Sequence, residues 1–217
     1  MNTLGNTARP AVLAMALLLA SLALGGCNSV LVKEPMGDTV VTLDPATWQG
    51  TWVTDEVVIL TTILDSEKGL LQAAWVERGP EGKGANFESV TGMVRQTGDM
   101  LFLNIEKEPP EERGTTAATD APPVAAAVAQ APVTGAAVPP EYGWGRIDNN
   151  GKRIILWLPD VEQFRLAVQD GRLPGSVNEN EDVLLGALEP AQRELINSPA
   201  GNLLSWTGPV VFVRIGN

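Results

Sequence analysis

The stretch GTWVTDEVVILTTILDSEKGLLQAAWVE, residues 50–77, decides the fold class. Trp52 to Leu64 is rich in Val, Ile and Thr, whose branched side chains suit a pleated backbone, and predicts a strand. Asp65-Ser66-Glu67-Lys68-Gly69 has the composition of a turn, and Leu70 to Glu77 predicts the returning strand of a hairpin. The same alternation of strand and turn continues downstream. Gly79-Pro80-Glu81-Gly82-Lys83-Gly84 reads as a loop, Phe87 to Arg95 as a third strand and Thr97-Gly98-Asp99 as a turn. Leu101 to Glu106 is a fourth strand, in which Leu101, Leu103 and Ile105 share one face in the manner of a half-buried strand.

Upstream of the hairpin, Leu43-Asp44-Pro45-Ala46 reads as a helix start, with Asp44 placed to accept from free amides, Pro45 suited to the first helical position and Gly50 ending the turn. Farther downstream, Tyr142 to Asp148 and Arg153 to Leu158 predict two more strands joined by Asp148-Asn149-Asn150-Gly151. Asp160 caps an expected helix over Val161 to Gln169 that ends at Asp170-Gly171 and presents Phe164, Val168 and Val161 on one face. Val183 to Leu185 reads as a short strand, Pro190 to Leu195 as a short helix and Pro209 to Ile215 as a closing strand. The expected fold is therefore mainly β: an antiparallel barrel or strongly curled sheet of seven or eight strands with two or three short helices.

Residues 108–140 break the pattern, because ten of these 33 are Ala and seven are Pro, with no aromatic, Leu or Ile among them. Such a segment buries too little apolar surface to offset its ordering entropy and is expected to be a disordered insertion within the domain; an Ala-rich helix over Val124–Gln130 is the alternative.

Charge and composition narrow the function. The chain holds 26 acidic and 15 basic residues, a net charge of −11, which disfavours nucleic acid and anionic headgroups as partners. It has no histidine, so the usual neutral-pH base and the commonest metal ligand are missing. G-x-S-x-G, S-x-x-K and phosphate-cradling P-loop motifs are absent as well, and no cofactor is implied. Among the carboxylates, Asp55, Glu56 and Asp65 are the candidates for a glycosidase-like pair. Asn178-Glu179-Asn180-Glu181-Asp182 clusters oxygen ligands but lacks the spacing of a calcium loop, and is expected to be a solvated acidic loop.

The N-terminus carries the most specific signal. Residues 1–10 are polar with Arg9 as the only charge, Ala11 to Leu24 is apolar except for Ser21, and Gly25, Gly26 and Cys27 follow. As a helix, Ala11–Leu24 spans about 21 Å, short of a hydrocarbon core of about 30 Å. Leu24-Gly25-Gly26-Cys27 resembles the lipobox of bacterial lipoproteins. The resemblance covers residues 1–27. It implies a signal peptide over 1–26, cleavage before Cys27, a diacylglyceryl group on its sulfur and acylation of the new amine. Asn28 in second place resembles the outer-membrane sorting pattern, with the inner membrane or the cell surface as alternatives. Residues 27–39 are expected to be a lipidated tether, and 40–217 the periplasmic domain.

A second resemblance is shorter. Gly50-Thr51-Trp52 resembles the G-x-W start of lipocalins, in which the Trp closes one end of a ligand-holding barrel beneath a late basic residue. Arg214 is placed to be that residue. The later Thr-Asp-aromatic motif of lipocalins is missing, and the insertion and the helical tail are further departures. Trp75 and Trp157 are expected in the core, while Trp52, Trp144 and Trp206 are candidates for packing or ligand contact.

These readings predict a membrane-anchored envelope lipoprotein with a non-catalytic binding or structural domain, whose partner is the membrane and an envelope protein or apolar ligand. A lipocalin-like carrier of a small apolar ligand is the first alternative, a glycan-acting hydrolase the second.

Overall fold

The computed structural model describes residues 28–55, 57–78, 85–107 and 139–216. The signal peptide, Cys27, Glu56, the Gly79–Gly84 loop and the insertion up to residue 138 lie outside the described residues. In chain order the elements are β1 (Val30–Val32), β2 (Thr39–Val40), α1 (Pro45–Trp48), β3 (Gly50–Val53), β4 (Val58–Asp65), β5 (Leu70–Arg78), β6 (Ala85–Thr97) and β7 (Met100–Glu106). There follow β8 (Tyr142–Asn149), β9 (Arg153–Trp157), α2 (Val161–Gln169), β10 (Gly175–Val177), β11 (Val183–Leu185), α3 (Pro190–Asn197) and β12 (Val210–Ile215).

Strands β3 to β9 form an antiparallel meander, each paired with the next. β12 then enters between β9 and β3, antiparallel to both, and closes an eight-stranded barrel. Closure removes the free sheet edges that such a meander would otherwise expose. The hairpin that decided the fold class is part of it, with one difference. The predicted Trp52–Leu64 strand is two strands, β3 and β4, separated by a tight turn in which Thr54 N–H donates to Val57 O (3.0 Å) and Thr54 Oγ1 accepts from Val57 N–H (3.1 Å). The Thr side chain closes this turn without Gly, Pro or Asn, and Asp55 alone is too weak a signal to divide the apolar run.

Two cores follow from the alternation of side chains. Inward-facing Trp52, Ile59, Leu71, Trp75, Val94, Ile147, Ile154 and Phe212 fill the barrel. Outward-facing Phe102 and Trp144 belong instead to a second core on the barrel's flank, with Phe164 and Ala167 of α2, Leu173, Val183 and Leu185 of β11, Ile196 of α3 and Leu203 and Leu204. β7 is thus buried on both faces, and Phe102 and Asn104, opposite its predicted buried face, are each only 1% exposed.

The flanking annex is built on β1. Val30–Val32, expected to lie in a tether, form a strand antiparallel to β8 and parallel to β11, and each is at most 4% exposed. The three-residue apolar run VLV is too short to give a periodic signal, and its partners lie more than 100 residues away. From β1 the chain crosses the outer wall. Asn104 pins it there, its Oδ1 accepting from Met36 N–H (2.7 Å) and its Nδ2 donating to Met36 O (3.0 Å).

The helix starts follow the expected chemistry. Asp44 Oδ1 accepts from Ala46 N–H (3.1 Å) with Pro45 in the first turn, and Asp160 Oδ1 accepts from Gln163 N–H (3.1 Å). At α3, Glu189 and Gln192 form a reciprocal capping box. Among the described residues no helix is long and apolar enough to cross a membrane.

Candidate functional site: the barrel interior and its sealed end

One end of the barrel is closed by the residues of the G-x-W segment. Trp52 is 1% exposed, and its Nε1–H donates to Thr61 Oγ1 (2.8 Å). The Thr61 hydroxyl in turn donates to the backbone carbonyl of Trp48. Arg214 opposes Trp52 in the β12–β3 register, and its guanidinium carbon lies 5.2 Å from the centre of the indole ring. The same guanidinium donates to the carbonyls of Ala46 and Gln49 at the end of α1, and to Gly151 O (3.1 Å). A helix end with free carbonyls and a π face therefore share one cation. Gly50 is required by the arrangement: its φ is +148°, and a Cβ there would meet two guanidinium nitrogens at 3.0 Å.

Behind this plug lies a cavity of about 100 Å³, lined by Trp48, Trp52, Leu103, Ile147, Leu156, Phe212 and neighbouring side chains. Thr61 supplies the one hydroxyl of the lining, and no ionisable side chain is among the lining residues. Gly145 keeps the wall thin, since a Cβ there would come within 2.8 Å of Leu156 Cδ1. The space is smaller than the ~150 Å³ apolar cavity known to take a benzene ring, and well below the ~300–1,000 Å³ of sites for drug-sized ligands. Chemically it offers contact surface and no acid, base or nucleophile.

The other candidate tryptophans lie on the flank. Trp144 is 5% exposed and packs edge-on against Phe102 and Phe164, at centroid distances of 6.2 and 5.8 Å. Trp206 lies 5.8 Å from Trp157, with the Arg146 guanidinium 5.0 Å from the first ring and 5.5 Å from the second. Desolvation lowers the Arg146 pKa, against the opposing charge of Asp148. The indole N–H groups of Trp144 and Trp206 have no hydrogen-bond partner among the described residues. Trp75 is 4% exposed inside the barrel, whereas Trp157, expected in the core, is half-buried at the annex edge.

A mixed polar groove of about 600 Å³ runs between the crossing segment Val32–Asp38, the outer wall at Arg95 and Phe102, and the Leu185–Asn197 stretch. The ion pair of Arg193 with Asp38 (2.7 Å) spans it, and Arg95 is engaged with the carbonyls of Gly37 and Asp38. Lys33 and Glu34 complete the charged part of its lining.

Of the carboxylate candidates, Asp55 and Asp65 are not brought together, and Glu56 lies outside the described residues. Asp55 lies in the β3–β4 turn and Asp65 at the far end of β4, roughly 25 Å away along the strand. Asp65 is held below its usual pKa by the hydrogen bond from Lys68, with which it pairs at 3.1 Å. The Asn178–Asp182 loop is structural rather than merely solvated. Asn178 Oδ1 accepts from Asn180 N–H (2.9 Å) and Asp182 N–H (2.8 Å), closing the β10–β11 hairpin. Asp182 is 7% exposed and accepts from Ser29 N–H (2.9 Å) and Lys107 Nζ (3.5 Å). No cluster of three or more Asp, Glu, His or Cys suited to a metal ion occurs among the described residues. In the Asp148–Gly151 turn, Asn149 Oδ1 accepts from Gly151 N–H (2.8 Å), and Gly151 has φ +79°.

Sequence reasoning missed Asn104 and Arg146, and it read Asp182 only as part of an acidic loop. Asn104 alone carried a signal: a polar residue at the centre of the apolar run LFLNI. Tyr142 was also missed; its pKa is raised by burial and by the nearby Glu106 carboxylate.

Fold and site together define a class: a closed up-and-down β-barrel with an apolar interior, one end sealed by Trp and Arg, and a mixed annex on its flank. Comparison with known protein families, with curated proteins and with solved structures finds no match for this chain.

Proposed function

We propose that the chain is a membrane-anchored lipoprotein of the bacterial envelope, held through lipid on Cys27 on the periplasmic side of the outer membrane. Its barrel acts as a non-catalytic binding or structural module. The observation that carries the non-catalytic reading is the cavity inside the barrel, whose lining residues include no ionisable side chain and one hydroxyl, already engaged. Support for the anchor comes from the ordered n-region, apolar run and Leu24-Gly25-Gly26-Cys27. The start of β1 at Val30 leaves only Asn28 and Ser29 between Cys27 and the folded body, at most about 7 Å of chain. The barrel would then rest against the membrane surface rather than hang from a long tether.

A second reading, a lipocalin-like carrier, is favoured by the Trp52–Arg214 plug and the apolar cavity, and is limited by the size of that cavity. Replacing Ala73, which lines the cavity, by Leu separates the two. In a structural or docking module, Ala73→Leu fills empty space and raises stability by about 0.5–2 kcal/mol. In a carrier, the same change displaces a co-purifying apolar molecule and lowers the unfolding temperature of the protein as isolated. Native mass spectrometry of the detergent-extracted chain reads the same difference directly. A stoichiometric apolar adduct lost in Ala73→Leu would overturn the structural reading in favour of the carrier.

A further inference from the structure

The barrel wall has two unlike sides. In the closed order, β7 and β8 stand opposite β3 and β4, and the annex covers the β7–β8 side. The opposite side, formed by β12, β3, β4 and β5, is met by α1 at the sealed end of the barrel, where Thr61 donates to Trp48 O, and it carries exposed side chains on its outer face. Six of its outward side chains are apolar and exposed, Val58 55%, Leu60 51%, Val76 60%, Val211 38%, Val213 47% and Ile215 48%, and Thr51, Thr62, Gln72 and the buried Ala74 share the face with them.

The register makes them one surface. Val213 lies beside Val53, and Val53 beside Val58. In the next row Ile215 lies beside Thr51, Thr51 beside Leu60 and Leu60 beside Ala74. Along Thr51–Val53, Val58–Leu64, Gln72–Val76 and Val211–Ile215, every side chain on the outer face is uncharged. Arg214, the one charged residue in these ranges, is turned inward onto Trp52. In a chain that is 19% charged with a net −11, an uncharged patch across four adjacent strands calls for a cover.

We propose that this face is the contact surface between two copies of the chain, packed sheet against sheet about a two-fold axis. Three observations select this occupant. Elsewhere two such chains would repel each other through their net charge, whereas this face brings no carboxylate to the contact. Its size fits: four strands about 4.8 Å apart and three outward rows about 6.8 Å apart give a footprint on the order of 400 Å², the apolar centre of a standard interface of about 800 Å² per partner. Its composition is that of a sheet-on-sheet contact, with β-branched side chains on a regular grid, and a flat surface of this kind is complementary to itself. Arg153 of β9 stands beside Val213 at one margin of the face, so a lipid surface is the competing occupant that the experiment must separate from a second copy.

The inference does not depend on the anchor. Cysteine introduced singly at Val58, Leu60 or Val213 places a thiol on the face, and the chain's only native cysteine is Cys27. Treated with a short bis-maleimide, the full chain carrying Leu60→Cys or Val213→Cys is expected to yield a species of twice its own mass that the native chain, with Cys27 alone, does not yield. Glu162→Cys on α2, where the native side chain is 57% exposed, is expected to yield none. Adding Val58→Lys to Leu60→Cys should abolish the adduct while leaving the thermal unfolding midpoint unchanged. The yield should rise with ionic strength, because screening relieves the repulsion between acidic chains. Absence of the doubled species at all three positions overturns the proposal. So does an adduct of another mass, which would mark a different protein, or labelling at all three positions by a bilayer-confined reagent in place of cross-linking, which would mark lipid.

Discussion

Trp52→Ala is expected to destabilise the barrel by about 3–5 kcal/mol, the usual cost of removing a buried aromatic side chain where the surroundings relax only in part. Three losses coincide at this position. The ring is 1% exposed and forms the floor of the cavity. Its N–H is the donor to Thr61, whose hydroxyl also ties β4 to the end of α1. Its face receives Arg214, which holds the helix end and the β8–β9 turn together. Trp52→Phe keeps most of the apolar contact but leaves Thr61 without its donor, and should cost less, about 1–2 kcal/mol. Chemical denaturation reads both: the midpoint should fall with the slope unchanged. A loss under about 1 kcal/mol for Trp52→Ala would mean that the plug does not hold the barrel closed.

Cys27→Ser is expected to abolish formation of the mature, membrane-retained protein. Serine offers no sulfur for the thioether, and in the class this segment resembles, cleavage follows lipid transfer. A single acyl chain binds a bilayer only marginally, whereas two or three hold it stably, so retention should be all-or-none. The acidic chain gains no help from anionic headgroups, and high salt should not strip the wild-type protein from membranes. Mature-length protein of the serine variant, retained as well as the wild type, would contradict the anchor.

How far the fold was legible depended on the range of the signal. Strands read from composition and turn chemistry were found where Gly, Asn or Asp mark the turns, as at Gly69, Gly98 and Gly151, all with positive φ. The β3–β4 turn escaped because Thr54 closes it with a side-chain hydrogen bond. β1 escaped because Val30–Val32 is a strand only by virtue of β8 and β11, and no local property of three residues encodes that pairing. The annex escaped for the same reason: Phe102 and Asn104 alternate correctly with Leu101, Leu103 and Ile105, but alternation cannot say that the far face is also covered. At the site, Gly50, Trp52 and Arg214 were legible because their spacing resembles a known barrel closure, and the stacking follows from the register of first and last strands. Trp144 and Trp206 were legible only as aromatics. Their partners, Phe164 and Arg146, come from elements whose packing no periodicity reports.

The mass of the N-terminal peptide of the mature protein, isolated from membranes, tests the anchored account most directly. The account predicts a peptide that begins at Cys27 and carries a diacylglyceryl thioether with an acylated amine. A peptide that begins elsewhere, or one that holds Cys27 as a free thiol, would contradict it.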